Sequence, residues 1–278
     1  MGSILDQKTK PFSDITLTAI EAALASGELL LKGFGTHFQI SSKEGRHNLV
    51  TEYDLLSEKN ILSLIQKKCP DSSFLAEESG YTHQDQKGLL WIVDPLDGTV
   101  NFARKIPAFS VSIAAHQNQE ELCGVIYQPI TKELFVGEKN RGSYLLDENL
   151  QIKEKLKVSS VKTLDGSILA TGFPYNLLQN PFHCIDHFVD IVKLGIPIRR
   201  MGSAAIDLAY TASGRFEGFF EVELGPWDVA AGKIILEEAG GTLSHWDQKP
   251  FDIFSKKTVF ASNGWIHEEG CKILGRQV

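Results

Sequence analysis

Apolar residues near the start of the chain recur at the spacing of an α-helix. From Ser13 to about Leu31 they cover one wide face, and serine is a residue type that often caps the start of a helix. A second helical pattern covers residues 49–67 and starts near Thr51 or Asp54. We predict a helix for each of these patterns.

Shorter apolar runs around and after the second helix indicate β-structure. Residues 38–48, between the two helices, are polar and end in turn residues, which predicts a mobile loop or a hairpin. Runs at 73–77 and 91–93 predict single strands. Four further runs, separated by turns, predict an antiparallel meander; they cover residues 111–115, 122–127, 133–137 and 142–146.

The second half of the chain alternates between the two patterns. Strands are predicted at 167–171, 196–199, 214–223 and 259–261, and helices at 180–194, 203–212, 227–239 and 265–274. Such alternation is typical of layered α/β packing. A charged run from Asp147 to Lys157 is a reasonable boundary. We therefore predict an N-terminal α+β half at 1–148 and a C-terminal α/β half at 149–278.

Composition narrows the class of protein. The chain has 278 residues and a formal net charge of -7, with no basic run, which argues against a nucleic-acid-binding surface. No apolar stretch is long enough to span a bilayer, and the polar N-terminus does not resemble a signal peptide. The four cysteines are isolated, so we expect reduced thiols in a cytoplasmic protein.

The strongest chemical signal lies at the end of the strand predicted at 91–93. Asp94, Pro95, Asp97, Gly98 and Thr99 follow it directly and place two carboxylates, a glycine and a hydroxyl in one turn. Hard divalent cations prefer carboxylate and carbonyl oxygens. A glycine turn that opens a helix offers backbone N–H groups to phosphate. The turn therefore predicts a combined metal and phosphate site.

Other carboxylates are ambiguous when the residues are considered alone. Glu77 and Glu78 are adjacent at a strand end, and only one of them can point towards Asp94 because side chains alternate in direction. Asp228 begins a predicted helix, where an acid is favourable with the helix dipole in any case. Glu221 lies in an apolar strand and is either exposed or committed to a ligand.

Taken together, four segments resemble the inositol monophosphatase family of Mg²⁺-dependent, lithium-sensitive phosphatases. The resemblance covers nearly the whole chain and rests on 49–51 with Asp54, 76–79, 91–99 and 227–232. It implies an αβαβα sandwich with a mostly antiparallel N-terminal sheet and a smaller mixed C-terminal sheet. It also implies a homodimer that hydrolyses small polyol phosphates.

The resemblance also assigns roles to individual residues. It implies two or three Mg²⁺ ions, held by Glu77, Asp94, the Leu96 carbonyl, Asp97 and Asp228. It implies that Asp54 and Thr99 orient the attacking water and that Gly98 and Thr99 bind phosphate. By the same resemblance, Lys43 lies near the third ion, and Gly202, Ser203, Ala204 and Glu221 line the sugar hydroxyls. It selects Glu77 rather than Glu78.

The expected substrate follows from the residues after the turn. Val100, Asn101 and Phe102 resemble the inositol monophosphatase branch, whereas bisphosphate nucleotidases commonly have a Lys-Glu pair there. We therefore predict myo-inositol 1-phosphate or a similar polyol phosphate. Histidinol phosphate, fructose 1,6-bisphosphate and 3′-phosphoadenosine 5′-phosphate remain alternatives. A non-enzymatic interaction protein on the same fold is less favoured, because the metal set is complete.

Overall fold

Helices and β-sheets alternate in layers through the part of the chain that the computed structural model describes, which is residues 12–42, 49–82, 88–118, 120–255 and 257–276. The helices are α1 Asp14–Gly33, α2 Glu52–Lys68, α3 Thr99–Ala103, α4 Cys184–Lys193, α5 Ala204–Ala212, α6 Pro226–Glu238 and α7 His267–Leu274. The first ten strands are β1 Ile40–Ser42, β2 Leu49–Thr51, β3 Ser73–Ala76, β4 Gly80–Thr82, β5 Leu89–Asp97, β6 Ser110–Gln117, β7 Glu120–Gln128, β8 Glu133–Glu138, β9 Gly142–Leu146 and β10 Ile152–Lys155. The remaining strands are β11 Leu169–Thr171, β12 Ile198–Arg199, β13 Gly218–Val222, β14 Thr242–Ser244 and β15 Thr258–Ser262.

The strands form two main sheets, as the resemblance predicted. The larger has the order β10-β9-β8-β7-β6-β5-β3-β4, and only the β3–β5 pair in it is parallel. The smaller has the order β12-β11-β13-β15-β14 and mixes parallel with antiparallel pairs. Helices α1 and α2 cover one face of the large sheet, α5 and α6 lie between the sheets, and α7 covers the far face of the small one. The predicted αβαβα sandwich is confirmed.

Several predicted boundaries are wrong for local reasons. Residues Leu49–Thr51 form a strand that pairs with β1, so α2 begins only at Glu52, after the Thr51 cap. The helix predicted from 180 begins at Cys184, because Phe182 and His183 have positive φ angles. Strand β10 lies in the charged run that we predicted to be a boundary. No strand signal is visible in the sequence there because all four residues of β10 are exposed, as is common at a sheet edge. The division at 148/149 stays a prediction.

The large sheet and α6 approach each other unusually closely. A Cβ placed on Gly124 would lie 2.4 Å from the backbone oxygen of Ala231, and one on Gly137 would lie 2.8 Å from the Cα of Ile235. Among the small residues at 230–232, Ala231 is packed against the backbone of the sheet. This contact fixes the position of α6 over the sheet, and with it the position of Asp228 at its N-terminal end.

In the described part of the chain, no helix combines the length and the apolar character needed to cross a membrane. The four cysteines form no disulfide.

The substitution Gly124→Ala should destabilise the protein by about 1–3 kcal/mol, because the added methyl group meets backbone on a packed helix that cannot yield locally. The midpoint of urea unfolding measures the loss. Gly166→Ala is the matched control, since its nearest contact would be a side-chain atom at 3.3 Å and the site is exposed. Equal midpoints for the two variants would contradict the close-packing argument.

Candidate active site

The predicted turn lies where β5 leaves its pairing with β6. Asp94 pairs with Ser112 and Asp97 with Ser110, so three steps along β5 correspond to two along β6. Residues three apart in a regular strand point to opposite faces, and the one-residue bulge removes this difference. The Leu96 N–H donates to Asp94 Oδ1 at 3.0 Å and stabilises the bulge. Both carboxylates are therefore directed to one place.

A third carboxylate arrives from the other half of the chain. Carboxylate oxygens of Asp94, Asp97 and Asp228 lie within 4.8 Å of one another. Asp228 also caps its own helix, because its Oδ2 accepts a hydrogen bond from the Gly225 N–H at 2.6 Å. Asp228 is therefore both an acid in a first helical turn and a member of the cluster.

The cluster concentrates negative charge away from water. Burial raises the pKa of Asp94 well above its usual range, and the charges of Glu77, Asp97 and Asp228 raise it further. Burial also raises the pKa of Asp97 to about 6, against the opposing effect of hydrogen bonds from Ser203 and the Ala205 N–H. Clustered, desolvated carboxylates of this kind fit a divalent cation, whose charge would offset both effects.

Helix α5 holds Asp97 from the C-terminal half. The Ser203 hydroxyl donates to Asp97 Oδ2 at 2.5 Å and the Ala205 N–H donates to the same oxygen at 2.8 Å. Asp97 therefore occupies the positive end of α5, and its Oδ1 takes no part in these two bonds. The structure places Ser203 against a carboxylate of the cluster, and the predicted contact of Gly202, Ser203 and Ala204 with sugar hydroxyls stays a prediction.

Asp54 and Thr99 lie together, as the resemblance implied. The Thr99 hydroxyl donates to Asp54 Oδ1 at 2.8 Å, and it lies 3.1 Å from the carbonyl oxygen of Leu96. Asp54 Oδ2 accepts from the Thr51 N–H at 2.7 Å and from the Thr51 hydroxyl at 2.6 Å. Because Asp54 is fully buried, its link to the rest of the site is the hydrogen bond from Thr99. Its pKa is raised, mainly by burial.

Glu77 is the member of its pair whose charge acts on this cluster. Its N–H donates to the carbonyl of Val93, which extends β3 alongside β5. Its charge raises the pKa values of Asp54, Asp94 and Asp97. Glu78 instead donates its N–H to the carboxylate of buried Glu58 at 2.9 Å. Glu221 is half-buried, and Lys43 lies outside the described residues.

Three residues near the site were assigned no part in its chemistry from the sequence, although two of them lie in segments that carry the resemblance. Thr51 binds Asp54, and its three-residue spacing from that acid is a recognisable capping-box signal. The Asn101 amide donates to the carbonyls of Ala108 at 2.6 Å and Met201 at 2.8 Å, which ties α3 to the segment before α5. Asp207 is buried, and its Oδ1 has no hydrogen-bond partner among the described residues. A single acid within an apolar helix was the available signal.

The charge cluster predicts a pH-dependent response to metal. Raised carboxyl pKa values contribute stability that is complete below the unfolded value of 3.8 and is lost as pH rises through the folded value, about 6 for Asp97. With a chelator present, we expect this loss to lower the melting temperature on going from about pH 4.5 to about pH 7.5. Excess Mg²⁺ should restore the melting temperature. The difference in melting temperature between protein with Mg²⁺ and protein with chelator should therefore widen as pH rises.

Calorimetry in chelator and in excess Mg²⁺ measures this gap. Asp97→Asn should narrow the gap at the upper end of the pH range, because it removes one of the titrating charges. A gap that is constant with pH, or that closes as pH rises, would contradict the charge-cluster interpretation.

Comparison with known proteins agrees with this geometry. The model of the inositol monophosphatase family matches residues 12–277. A Synechocystis sp. protein named inositol-1-monophosphatase is 40% identical over 251 residues, covering 90% of this chain and 85% of that protein. The Escherichia coli protein named Nus factor SuhB is 38% identical over 227 residues, covering 81% of this chain and 83% of that protein. The crystal structure of extragenic suppressor protein suhB from Bartonella henselae matches with a TM-score of 0.88 and 34% identity, covering 96% of this chain and 100% of that chain. The chain belongs to the inositol monophosphatase family.

Proposed function

We propose that this family member hydrolyses the phosphate monoester of a small polyol, most specifically myo-inositol 1-phosphate. The observation that carries the proposal is the cluster of buried Asp94, Asp97 and half-buried Asp228 beside the hydrogen-bonded pair Asp54–Thr99. The first set offers hard oxygen ligands, and the second offers an acceptor for a proton. Phosphate monoester hydrolysis needs both.

The cluster would hold Mg²⁺. In our assignment, Glu77, Asp94 and the Leu96 carbonyl share one ion, Asp94, Asp97 and Asp228 share a second, and Glu77 contributes to a weaker third. Bound Mg²⁺ would neutralise the phosphate dianion, make bound water more acidic and stabilise the leaving oxygen. We also propose that Lys43 would lie near the third ion, as the resemblance implies. Inhibition by lithium belongs to the same proposal.

Asp54 and Thr99 would orient the attacking water. Asp54 is fully buried and accepts a hydrogen bond from Thr99, so the water would contact Thr99 rather than Asp54. As the water attacks phosphorus, its proton passes to the Thr99 oxygen, and the Thr99 proton passes to Asp54 Oδ1. The bond from phosphorus to the polyol oxygen breaks, and that oxygen takes up a proton from solvent. No covalent enzyme intermediate is required.

The backbone at Gly98 would receive the phosphate. Gly98 has a φ of +95°, and a Cβ there would lie 3.0 Å from the Ala108 oxygen and 3.2 Å from the Gly202 oxygen. Glycine therefore makes the sharp entry into α3 possible. The first N–H groups of a helix have no partner within it, so those of Gly98 and Thr99 would donate to phosphate oxygens.

The leaving group would lie between the halves of the chain, against Glu221 and the segment 202–204. A carboxylate accepts hydrogen bonds from two neighbouring hydroxyls, which suits a cyclitol or a sugar. The name of the Synechocystis relative, inositol-1-monophosphatase, supports this choice. Another relative is named Nus factor SuhB, so the relatives are not all named for this substrate.

A substrate panel tests the proposal. With Mg²⁺ present, kcat/KM for myo-inositol 1-phosphate should exceed the values for fructose 1,6-bisphosphate, histidinol phosphate and 3′-phosphoadenosine 5′-phosphate, because only the cyclitol offers Glu221 a full ring of hydroxyls. Phosphate release measures all four. Faster release from the nucleotide than from the inositol phosphate would overturn the substrate assignment.

Asp94→Asn should lower kcat by at least about 100-fold, because the proposed metals would lose a shared ligand and its charge. The variant preserves size, and melting temperature shows whether it folds. Asp165→Asn, at an exposed turn far along the chain, is the matched control for loss of one negative charge. Equal rates for Asp94→Asn and the wild-type protein would mean that the cluster is not catalytic, as in the non-enzymatic alternative.

We also propose a homodimer, formed through α4. Ile185, Val189 and Val192 lie at i, i+4 and i+7 on one face and are 38%, 39% and 48% exposed, although the opposite face is already buried. Among the described residues near this helix, Leu178 and Leu194 are exposed too. An apolar helix face of this kind is typical of an interface.

Val189→Glu should therefore shift the protein towards the monomer in analytical ultracentrifugation. Lys193→Gln, at an exposed position of the same helix, controls for the change of one charge unit. A wild-type protein that sediments as a monomer at all concentrations would exclude the proposed interface.

A further inference from the structure

Three parallel strands of the small sheet end side by side at the active-site edge. In β11, Leu169 pairs with Ile198 of β12 and with Gly218 of β13, and Thr171 pairs with Phe220. The next residues in this register are Gly172 after β11 and Glu221 in β13. The sheet thus places a glycine directly beside the carboxylate that faces the proposed leaving group.

The carboxyl group of Glu221 fills the space in which a side chain of residue 172 would lie. A Cβ on Gly172 would be 2.2 Å from Oε2, 2.3 Å from Oε1 and 2.4 Å from Cδ of Glu221. All three atoms belong to the end of one flexible side chain. A methyl group at this position therefore displaces the carboxylate rather than the fold.

The surroundings of Glu221 show that this carboxyl group belongs to the active-site edge. The charges of Asp228 and Asp97 add to burial in raising the pKa of Glu221, and Arg200 opposes them. Arg200 follows β12, the third strand of the set, and its guanidinium lies over the ring of Phe173 at 5.3 Å. The positive charge of Arg200 and the bare backbone of Gly172 both act on this carboxylate.

We infer that Gly172 is a positioning residue that fixes the Glu221 carboxylate at the leaving-group site and thereby sets the preference for hydroxyl-bearing leaving groups. This inference rests on the proposed function. It assigns a role to a residue that touches neither phosphate nor metal. The physical basis is that hydrogen bonds from substrate hydroxyls to a charged oxygen depend steeply on distance and direction.

The test compares two substrates. One is myo-inositol 1-phosphate, and the other is p-nitrophenyl phosphate, whose leaving group offers no vicinal hydroxyls. The measured quantity is the ratio of kcat/KM for the first to kcat/KM for the second. Gly172→Ala should lower this ratio about tenfold to a hundredfold, the loss expected for hydrogen bonds to a charged group. Gly166→Ala, whose methyl group would meet only side-chain atoms, the nearest at 3.3 Å, should leave the ratio unchanged.

A double-mutant cycle separates positioning from a general structural effect. Once Glu221→Ala has removed the carboxylate, adding Gly172→Ala should change the ratio less than about twofold, because the two substitutions act through the same group. Independent, additive effects would overturn the inference, as would an equal loss on both substrates. If Gly172→Ala does not fold, Glu221→Asp withdraws the carboxylate by one methylene and should lower the ratio as well; an unchanged ratio would overturn the inference.

The outcomes for the two proposals are distinct. A wild-type protein that shows no preference for the inositol phosphate over the aryl phosphate refutes the proposed function. A wild-type preference that survives in Gly172→Ala refutes only the role of Gly172.

Discussion

Repulsion between carboxylates in a small buried space is the interaction that the rest of this structure must withstand. Two like charges about 4 Å apart repel by about 4 kcal/mol at an effective dielectric constant of about 20. A folded domain is stable by only about 5–15 kcal/mol in total. Carboxylate oxygens of Asp94, Asp97 and Asp228 lie within 4.8 Å of one another, and the charge of Glu77 adds to the repulsion. Such a cluster is stable only if each carboxylate has its own hydrogen bonds to the rest of the protein.

Each carboxylate is held by a local device that also supports a structural element. The bulge in β5 binds Asp94, the N-terminal end of α5 binds Asp97, and Asp228 caps α6. Asp54 caps α2 in the same way. Helix N-termini stabilise negative charge. The fold therefore gathers anions by directing the starts of three helices to one region, which explains why both halves of the chain contribute.

The sequence went far in predicting this site because its turn is local. Asp94, Asp97, Gly98 and Thr99 are near neighbours, and strand-ending carboxylates beside a glycine have few structural explanations. Long helices such as α1 were predicted within two residues at each end, since periodicity and caps are local signals. The exposed edge strand β10 and the three-residue β14 were missed, because their pairing depends on partners distant in sequence.

By itself the sequence determined the chemical character of this protein: which acids, which turn, and which family they resemble. Only the tertiary structure decided how these residues meet. The direction of Asp97 follows from a bulge that depends on pairing with β6. The position of Asp228 depends on glycines in β7 and β8 that admit α6. The place of the Glu221 carboxylate depends on a glycine in another strand. The sequence gives the residue types. The distances between the carboxylates arise from contacts between distant segments, since Asp94 and Asp228 are 134 positions apart.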